Sequence, residues 1–224
     1  MRDNIDWLDE TDLPRLIRRQ LSSDETCPPA DAFPKGFFTA PPRPAAVLVP
    51  LIRESGRWRL VFIRRARAAG DSHSGQVAFP GGHVEAADTT VEATALREAR
   101  EEIGLSPSNV AVLGCLGTER TITNFSVTPV VGEIREPFDA VPEPREVDRI
   151  FTIPLAWLAD PANVERRARQ LAGTGRKLDI LYYRPYDGEL LWGVTARLVA
   201  RLLGYIFNTE TTVTRNPLLD KMRD

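Results

Sequence analysis

Three glutamates within five residues carry the most chemistry in this sequence. In Arg97-Glu98-Ala99-Arg100-Glu101-Glu102-Ile103-Gly104, Glu98 lies three residues before Glu101 and four before Glu102. These are the spacings of neighbours on a helix surface. At about 100° per residue, Val91, Ala95, Leu96, Ala99 and Ile103 form an apolar arc. Glu98 and Glu102 fall on one shoulder of that arc, and Glu101 lies further round. Carboxylates that border buried surface repel each other in a reduced dielectric. Arg97, four residues before Glu101, offsets part of that repulsion, and a divalent cation would offset more. Clustered carboxylate oxygens suit Mg²⁺ or Mn²⁺. The bland alternative is a solvated surface helix laced with ion pairs, common for a bare E-x-x-E-E, so the neighbouring elements must decide.

The glutamates need a helix, and the spacing predicts one over 89–103, with Gly104 as its stop and Pro107 beyond. Upstream, the apolar run 46–52, a turn at 54–57 and a return at 58–63 predict a hairpin. A polar loop over 64–76 leads through Val77-Ala78-Phe79 to a tight turn at Pro80-Gly81-Gly82. Further strands are expected at 110–116, 126–134, 149–153 and 180–183. A last helix is expected over 195–203, ending at Gly204. Near the start, Thr11 or Asp12 caps a short helix with Pro14 in its first turn and Leu13, Leu16, Ile17 and Leu21 on one face. Six prolines between 22 and 44 make that stretch a linker or a wrap. Residues 1–44 are thus an N-terminal helix and wrap, 45–204 the domain, and 205–224 a polar tail. Strands scattered between helices predict a mixed α/β (α+β) sandwich.

Composition narrows the partners. The 224 residues hold 42% hydrophobic and 27% charged side chains, enough for a sizeable core. Twenty-nine basic residues against 31 acidic ones give a charge of -2 and a pI near 5.8. The basic excess of a protein that grips nucleic-acid phosphates or anionic lipid is missing. No apolar run approaches the roughly 20 residues of a membrane span. Only Cys27 and Cys115 are present, too few for a disulfide framework or a cysteine-built zinc site. With no apolar signal core after Met1-Arg2-Asp3-Asn4, the expected compartment is the cytoplasm. The expected state is monomer or homodimer.

The run Gly82…Asp88…Arg97-Glu98-Ala99-Arg100-Glu101-Glu102-Ile103-Gly104-Leu105 resembles the Nudix box, G-x5-E-x7-R-E-U-x-E-E-x-G-U with U aliphatic. Two departures stand out. Asp88 replaces the first glutamate, and one extra residue separates it from Arg97. The segment from His73 to Gly82 is similar to the one preceding the box in the coenzyme A pyrophosphatase branch. Thr128-Pro129-Val130-Val131-Gly132, Glu146-Val147, Ile153-Pro154-Leu155 and Trp192-Gly193-Val194-Thr195-Ala196 match that branch too. It usually carries an arginine four residues before the glycine matched by Gly75, where this chain has Asp71.

The resemblance implies a Nudix α/β/α sandwich with a mixed central sheet, and metal-dependent hydrolysis of a nucleoside diphosphate linked to another group. It implies Glu98 and Glu102 as the principal Mg²⁺ or Mn²⁺ ligands, Glu101 as a further one, and the Gly81 carbonyl as part of the shell. Arg97 would orient the glutamates, and Glu146 is a candidate distal carboxylate that serves as base or completes the site when a loop closes. His73 and Gln76 fall in the branch-like segment as candidate substrate contacts, and His83 is a weaker one. Either one of the bunched arginines Arg64, Arg65 and Arg67 stands in for the missing arginine, or the preferred substrate is not coenzyme A. The readings are therefore hydrolysis of coenzyme A or its derivatives, cleavage of ADP-ribose, a dinucleotide or a nucleoside triphosphate, or a non-catalytic Nudix ligand-binding domain. The last is disfavoured because the box keeps all three glutamates.

Overall fold

The structure is a computed structural model that describes residues 7–10, 12–22, 33, 36–67, 74–170 and 177–207. Two short helices, α1 (Trp7–Glu10) and α2 (Leu13–Ser22), lead into the hairpin β1 (Arg43–Glu54) and β2 (Arg57–Arg65). Then come β3 (Val77–Ala78), β4 (Gly81–His83), the helix α3 (Val91–Ile103), β5 (Val110–Cys115), β6 (Glu119–Arg120) and β7 (Phe125–Ile134). The chain closes with β8 (Val147–Pro154), α4 (Leu155–Ala159), β9 (Val164–Gln170), β10 (Lys177–Tyr183) and α5 (Gly193–Ile206).

Eight of these strands form one mixed sheet, with β1 parallel to β7 and the other pairs antiparallel. Alternation along β1 and β2 sorts their side chains onto two faces. Ala46, Leu48, Val61 and Ile63 pack with Ala95, Ala99 and Ile103 of α3. Val49, Leu51, Leu60 and Phe62 pack with residues of α1, α2, α4 and α5 on the other face. The result is the α/β/α sandwich. No described helix is long and apolar enough to cross a membrane.

A splay in the hairpin places the site. β1 and β2 pair with each other only from Leu51↔Leu60 to Glu54↔Arg57. Further along they part, and the run from Val77 to His83 enters the gap, pairing with β2 through β3 and with β1 through β4. A Cβ on Gly81 would lie 2.4 Å from the Ala46 carbonyl oxygen and 2.6 Å from Val47 Cα. Only glycine lets the chain pass so close to β1.

The elements differ from expectation in places with physical reasons. α5 runs through Gly204 to Ile206 because Tyr205 and Ile206 are buried, and their packing outweighs the glycine. Arg64 and Arg65 continue β2 rather than opening the loop. Strand β9 went unforeseen because Val164–Gln170 is largely charged and exposed; its partner β10, in a separate two-stranded sheet, holds it. Asp12 caps α2 by accepting the Arg15 N–H at 3.2 Å, whereas Thr11 lies outside the described residues.

Candidate active site

Helix α3 begins at Thr90, whose side chain accepts the Ala93 N–H, and ends at Gly104, left-handed at φ 71°. Its last carbonyls are not left open. Ile103 and Glu102 accept the N–H groups of Val141 and Glu143 at 3.1 and 2.9 Å, which ties the loop before β8 to the helix end. Glu146 closes that loop, and its carbonyl accepts the Ala66 N–H at 2.8 Å. The Glu146 backbone is thereby held beside the end of β2.

The glutamates take three different environments. Glu102 is 2% exposed and accepts the Gly81 N–H at 3.0 Å. Burial pushes its carboxyl up to about 8, with the Glu98 and Glu146 charges adding to the rise and the Gly81 N–H and Arg65 opposing it. The Glu98 side chain is 14% exposed and rests against Gly82, where an added Cβ would fall 2.4 Å from Oε1. Burial raises its pKa too, against Arg97. Glu101 is 53% exposed and pairs with Arg97 at 3.0 Å. Beside the Gly81-Gly82 turn, Glu102 therefore feels the charges of Glu98 and Glu146, and Glu98 feels those of Glu101 and Glu146.

Arg97 is the hub of this end of the helix. Its Nη1 reaches Glu98 and Glu101, each at 3.0 Å, and Nη2 donates to the His83 carbonyl at 3.0 Å. Asp88 holds it in a fork: Nε to Oδ1 at 3.1 Å and Nη2 to Oδ2 at 3.0 Å. Asp88 Oδ2 also accepts the Glu85 N–H and the hydroxyl of Thr94, both at 2.9 Å. Arg97 and the Glu85 N–H hold the Asp88 carboxyl well below the usual range. The shorter acid in the box thus anchors the arginine that orients the glutamates, and the buried Thr94 fixes the anchor. The sequence signal for Thr94 is a polar residue beside the apolar arc.

The other candidates divide. Arg65 lies close enough for its charge to act on Glu102. Arg64 points to the other face, where it pairs with Asp148 at 2.7 Å and with the buried Glu189 at 2.8 Å. Arg149 shares Glu189 at 2.9 Å. Arg67 is exposed, with Nε lying over Gly75. Gln76 is half-buried, and its carbonyl accepts the Arg65 N–H at 3.0 Å. His83 packs on Phe125, with ring centroids 4.7 Å apart, and Trp192 stacks on Tyr182. Cys115 donates to Glu92, and burial pushes its thiol up to about 12, as suits a packing residue. His73 and Asp71 lie outside the described residues.

This donor set fits a divalent cation. A buried carboxylate with a backbone N–H as its hydrogen-bond donor, a second one lying on glycine and a third charge nearby are hard oxygen ligands short of compensating charge. Among the described residues no three acidic, histidine or cysteine side chains are already gathered as a cage. Arg97 draws Glu98 and Glu101 toward itself, and a cation would compete with it for them.

The NUDIX domain model matches residues 41–172. The chain is 36% identical over 165 residues to the Nudix hydrolase NudL of Citrobacter koseri, covering 71% of this chain and 81% of that protein. The figures for NudL of Escherichia fergusonii are 37%, 71% and 81%. Among solved structures it is similar to the Nudix hydrolase RenU of M. smegmatis, with a TM-score of 0.45 and 24% identity, over 54% of this chain and 76% of that one. A family model spanning more than half of the chain, and relatives covered over four-fifths of their length, settle the kinship: the chain belongs to the Nudix hydrolases, enzymes that cleave pyrophosphate bonds.

Proposed function

We propose that this enzyme hydrolyses the diphosphate of coenzyme A or its derivatives. One observation carries the reading. Segments matched to the coenzyme A pyrophosphatase branch, far apart in sequence, meet in the fold: Thr195 donates its hydroxyl to the Val77 carbonyl at 3.1 Å, and the Glu146 carbonyl accepts the Ala66 N–H beside Arg65. Nudix hydrolases generally use a divalent cation. When bound, Mg²⁺ or Mn²⁺ neutralises phosphate charge and makes water a better nucleophile.

Glu98 and Glu102 are the proposed principal ligands, with the Gly81 carbonyl and, after leaving Arg97, Glu101. Arg97, fixed by Asp88, orients Glu98. Glu146 is the proposed base. A water oxygen forms a bond to phosphorus as the bridging P–O bond breaks, and the water proton passes to Glu146. The leaving phosphate carries away the electron pair. Arg65 offsets charge at the buried end of the site.

The test is product release from a panel of coenzyme A, 3′-dephospho-coenzyme A, ADP-ribose, dinucleotides and nucleoside triphosphates, each with Mg²⁺ and with Mn²⁺. Coenzyme A should show the highest kcat/KM. Preference for another member would replace the substrate and leave the reaction type standing.

A further inference from the structure

Strand β8 breaks its own alternation. Phe151 and Ile153 pack in the core on the α5 side of the sheet, so strict alternation would send Val147 there as well. Val147 is instead 2% exposed in the other core, with Ile63 of β2 and with Ala99 and Ile103 of α3. The pairing with β2 gives the reason. Arg64 faces Arg149 while Arg65 faces Val147, so Asp148 is left over between them as a β-bulge.

The bulge decides where Glu146 sits. The register it sets runs on to Glu146, whose carbonyl accepts the Ala66 N–H at 2.8 Å. From there the Glu146 charge acts on both Glu98 and Glu102. Were Asp148 to pair with Arg65 instead, Val147 would turn out of the α3 core. Glu146 would then move by one residue, about 3.3 Å along the strand.

One buried carboxylate holds the bulge. Glu189, 4% exposed, accepts Arg64 Nη1 at 2.8 Å and Arg149 Nη1 at 2.9 Å on the same oxygen, Oε1. The two arginines that face each other at the bulge are thereby pinned to a single atom by charge-assisted bonds. Asp148 itself pairs with Arg64 at 2.7 Å, and Asp187 pairs with Arg149. Glu189 has little freedom to follow them. It closes a tight turn over Asp187 and Gly188, at φ 51° and 78°, with paired backbone bonds to Tyr186 at 2.9 and 3.0 Å.

We propose that Glu189 is a positioning residue of the reaction: by clamping Arg64 and Arg149 it holds the Asp148 bulge, and the bulge places Glu146 beside Glu98 and Glu102. The clamp acts through strand register, from the side of the sheet away from α3. For its effect on turnover it rests on the reading of Glu146 as the base.

The experiment joins amide hydrogen exchange to a double-mutant cycle on Glu189→Gln and Glu146→Gln, at saturating Mg²⁺ with whichever panel substrate is cleaved fastest. Glu189→Gln should speed exchange of the Ala66 amide about tenfold or more, while amides of the β1–β7 pairing keep their wild-type rates. It should lower kcat about tenfold and leave KM within about twofold, because a displaced base weakens the transition state and not ground-state binding. In the Glu146→Gln background the same substitution should cost nothing further. Asp148→Asn alters a half-exposed side chain and should act in the same direction, so the test stands even where Glu189→Gln does not fold. Unchanged Ala66 protection in both variants overturns the clamp. So does a loss of kcat that is equal with and without Glu146→Gln, the mark of general destabilisation. Wild-type kcat in Glu146→Gln alone, with the Ala66 amide still loosened by Glu189→Gln, sinks the base and keeps the hold on the register.

Discussion

Replacing Glu102 with Gln should stabilise the metal-free protein at neutral pH. Glu102 is buried, and its carboxyl is raised from 4.5 to about 8. Between those values the native state holds a proton that the unfolded chain releases, so the contribution of Glu102 is favourable only below about pH 4.5 and is lost as pH rises toward 8. At pH 7 the chain is 2.5 pH units above the unfolded value (7 − 4.5), which costs about 3 kcal/mol. Gln keeps the shape and an oxygen for the Gly81 N–H, but buries amide hydrogens at a cost of about 1 kcal/mol. The net gain is about 2 kcal/mol, or a rise in Tm of ~4–8 °C for a domain of this size. Near pH 5 the two proteins should be nearly equal. Thermal unfolding in EDTA from pH 5 to 8 reads this directly: the wild-type curve falls with pH relative to the variant. Saturating Mg²⁺ should then raise the wild-type Tm and leave the variant almost unmoved, because binding to the native state adds stability only where ligands exist. Parallel pH curves in EDTA would refute the reasoning, since they would mean that Glu102 carries no burial penalty for a cation to relieve.

The adjacent glycines should separate folding from activity. Gly81→Ala drives a Cβ into β1 backbone and should cost about 2 kcal/mol or more in urea unfolding, whereas the nearest atoms to a Cβ in Gly82→Ala are those of the Glu98 carboxylate, so it should stay folded and lose about tenfold or more in kcat/KM. Thr94→Val removes the hydroxyl that steadies Asp88 and should cost about 1 kcal/mol with a several-fold lower kcat, read by unfolding and turnover on the same sample. Asp88, held low by Arg97, contributes stability that is present above its ordinary value of 3.8 and lost as pH falls below it. Tm measured from pH 5 down to 2 should therefore drop more steeply for wild type than for Asp88→Asn.

The sandwich was legible because periodicity and punctuation agreed where packing is simple. The apolar arc of α3, its glycine stop, and the alternation in β1 and β2 each had a local signal, and each element formed within two or three residues of its expected bounds. α5 and β9 were misjudged for opposite reasons. Gly204 is a stop signal that buried neighbours overrule, and β9 is a strand whose side chains carry no apolar alternation. Neither fact is local to its segment.

The site was legible as a spacing but not as a division of labour. E-x-x-E-E says that three carboxylates share a helix surface; it does not say that Arg97 holds Glu101 in solvent while Glu102 sinks against Gly81. Arg64, Arg65 and Arg67 look alike in sequence. Strand alternation sends Arg64 to one face, where acids already match it, and Arg65 to the other, beside Glu102.

Asp88 shows how two departures from a family pattern can be one adaptation. A carboxylate one methylene shorter reaches less far, and an added residue before Arg97 lengthens the chain between them. In the folded protein Asp88 ends a turn in which its N–H returns to the Glu85 carbonyl at 3.0 Å, while Oδ2 accepts the Glu85 N–H. This turn brings Asp88 up to Arg97 and Thr94, so the shorter side chain meets the guanidinium in a fork despite its lost reach. The fork keeps Arg97 fixed, and Arg97 in turn pairs with Glu98 where that carboxylate lies against Gly82.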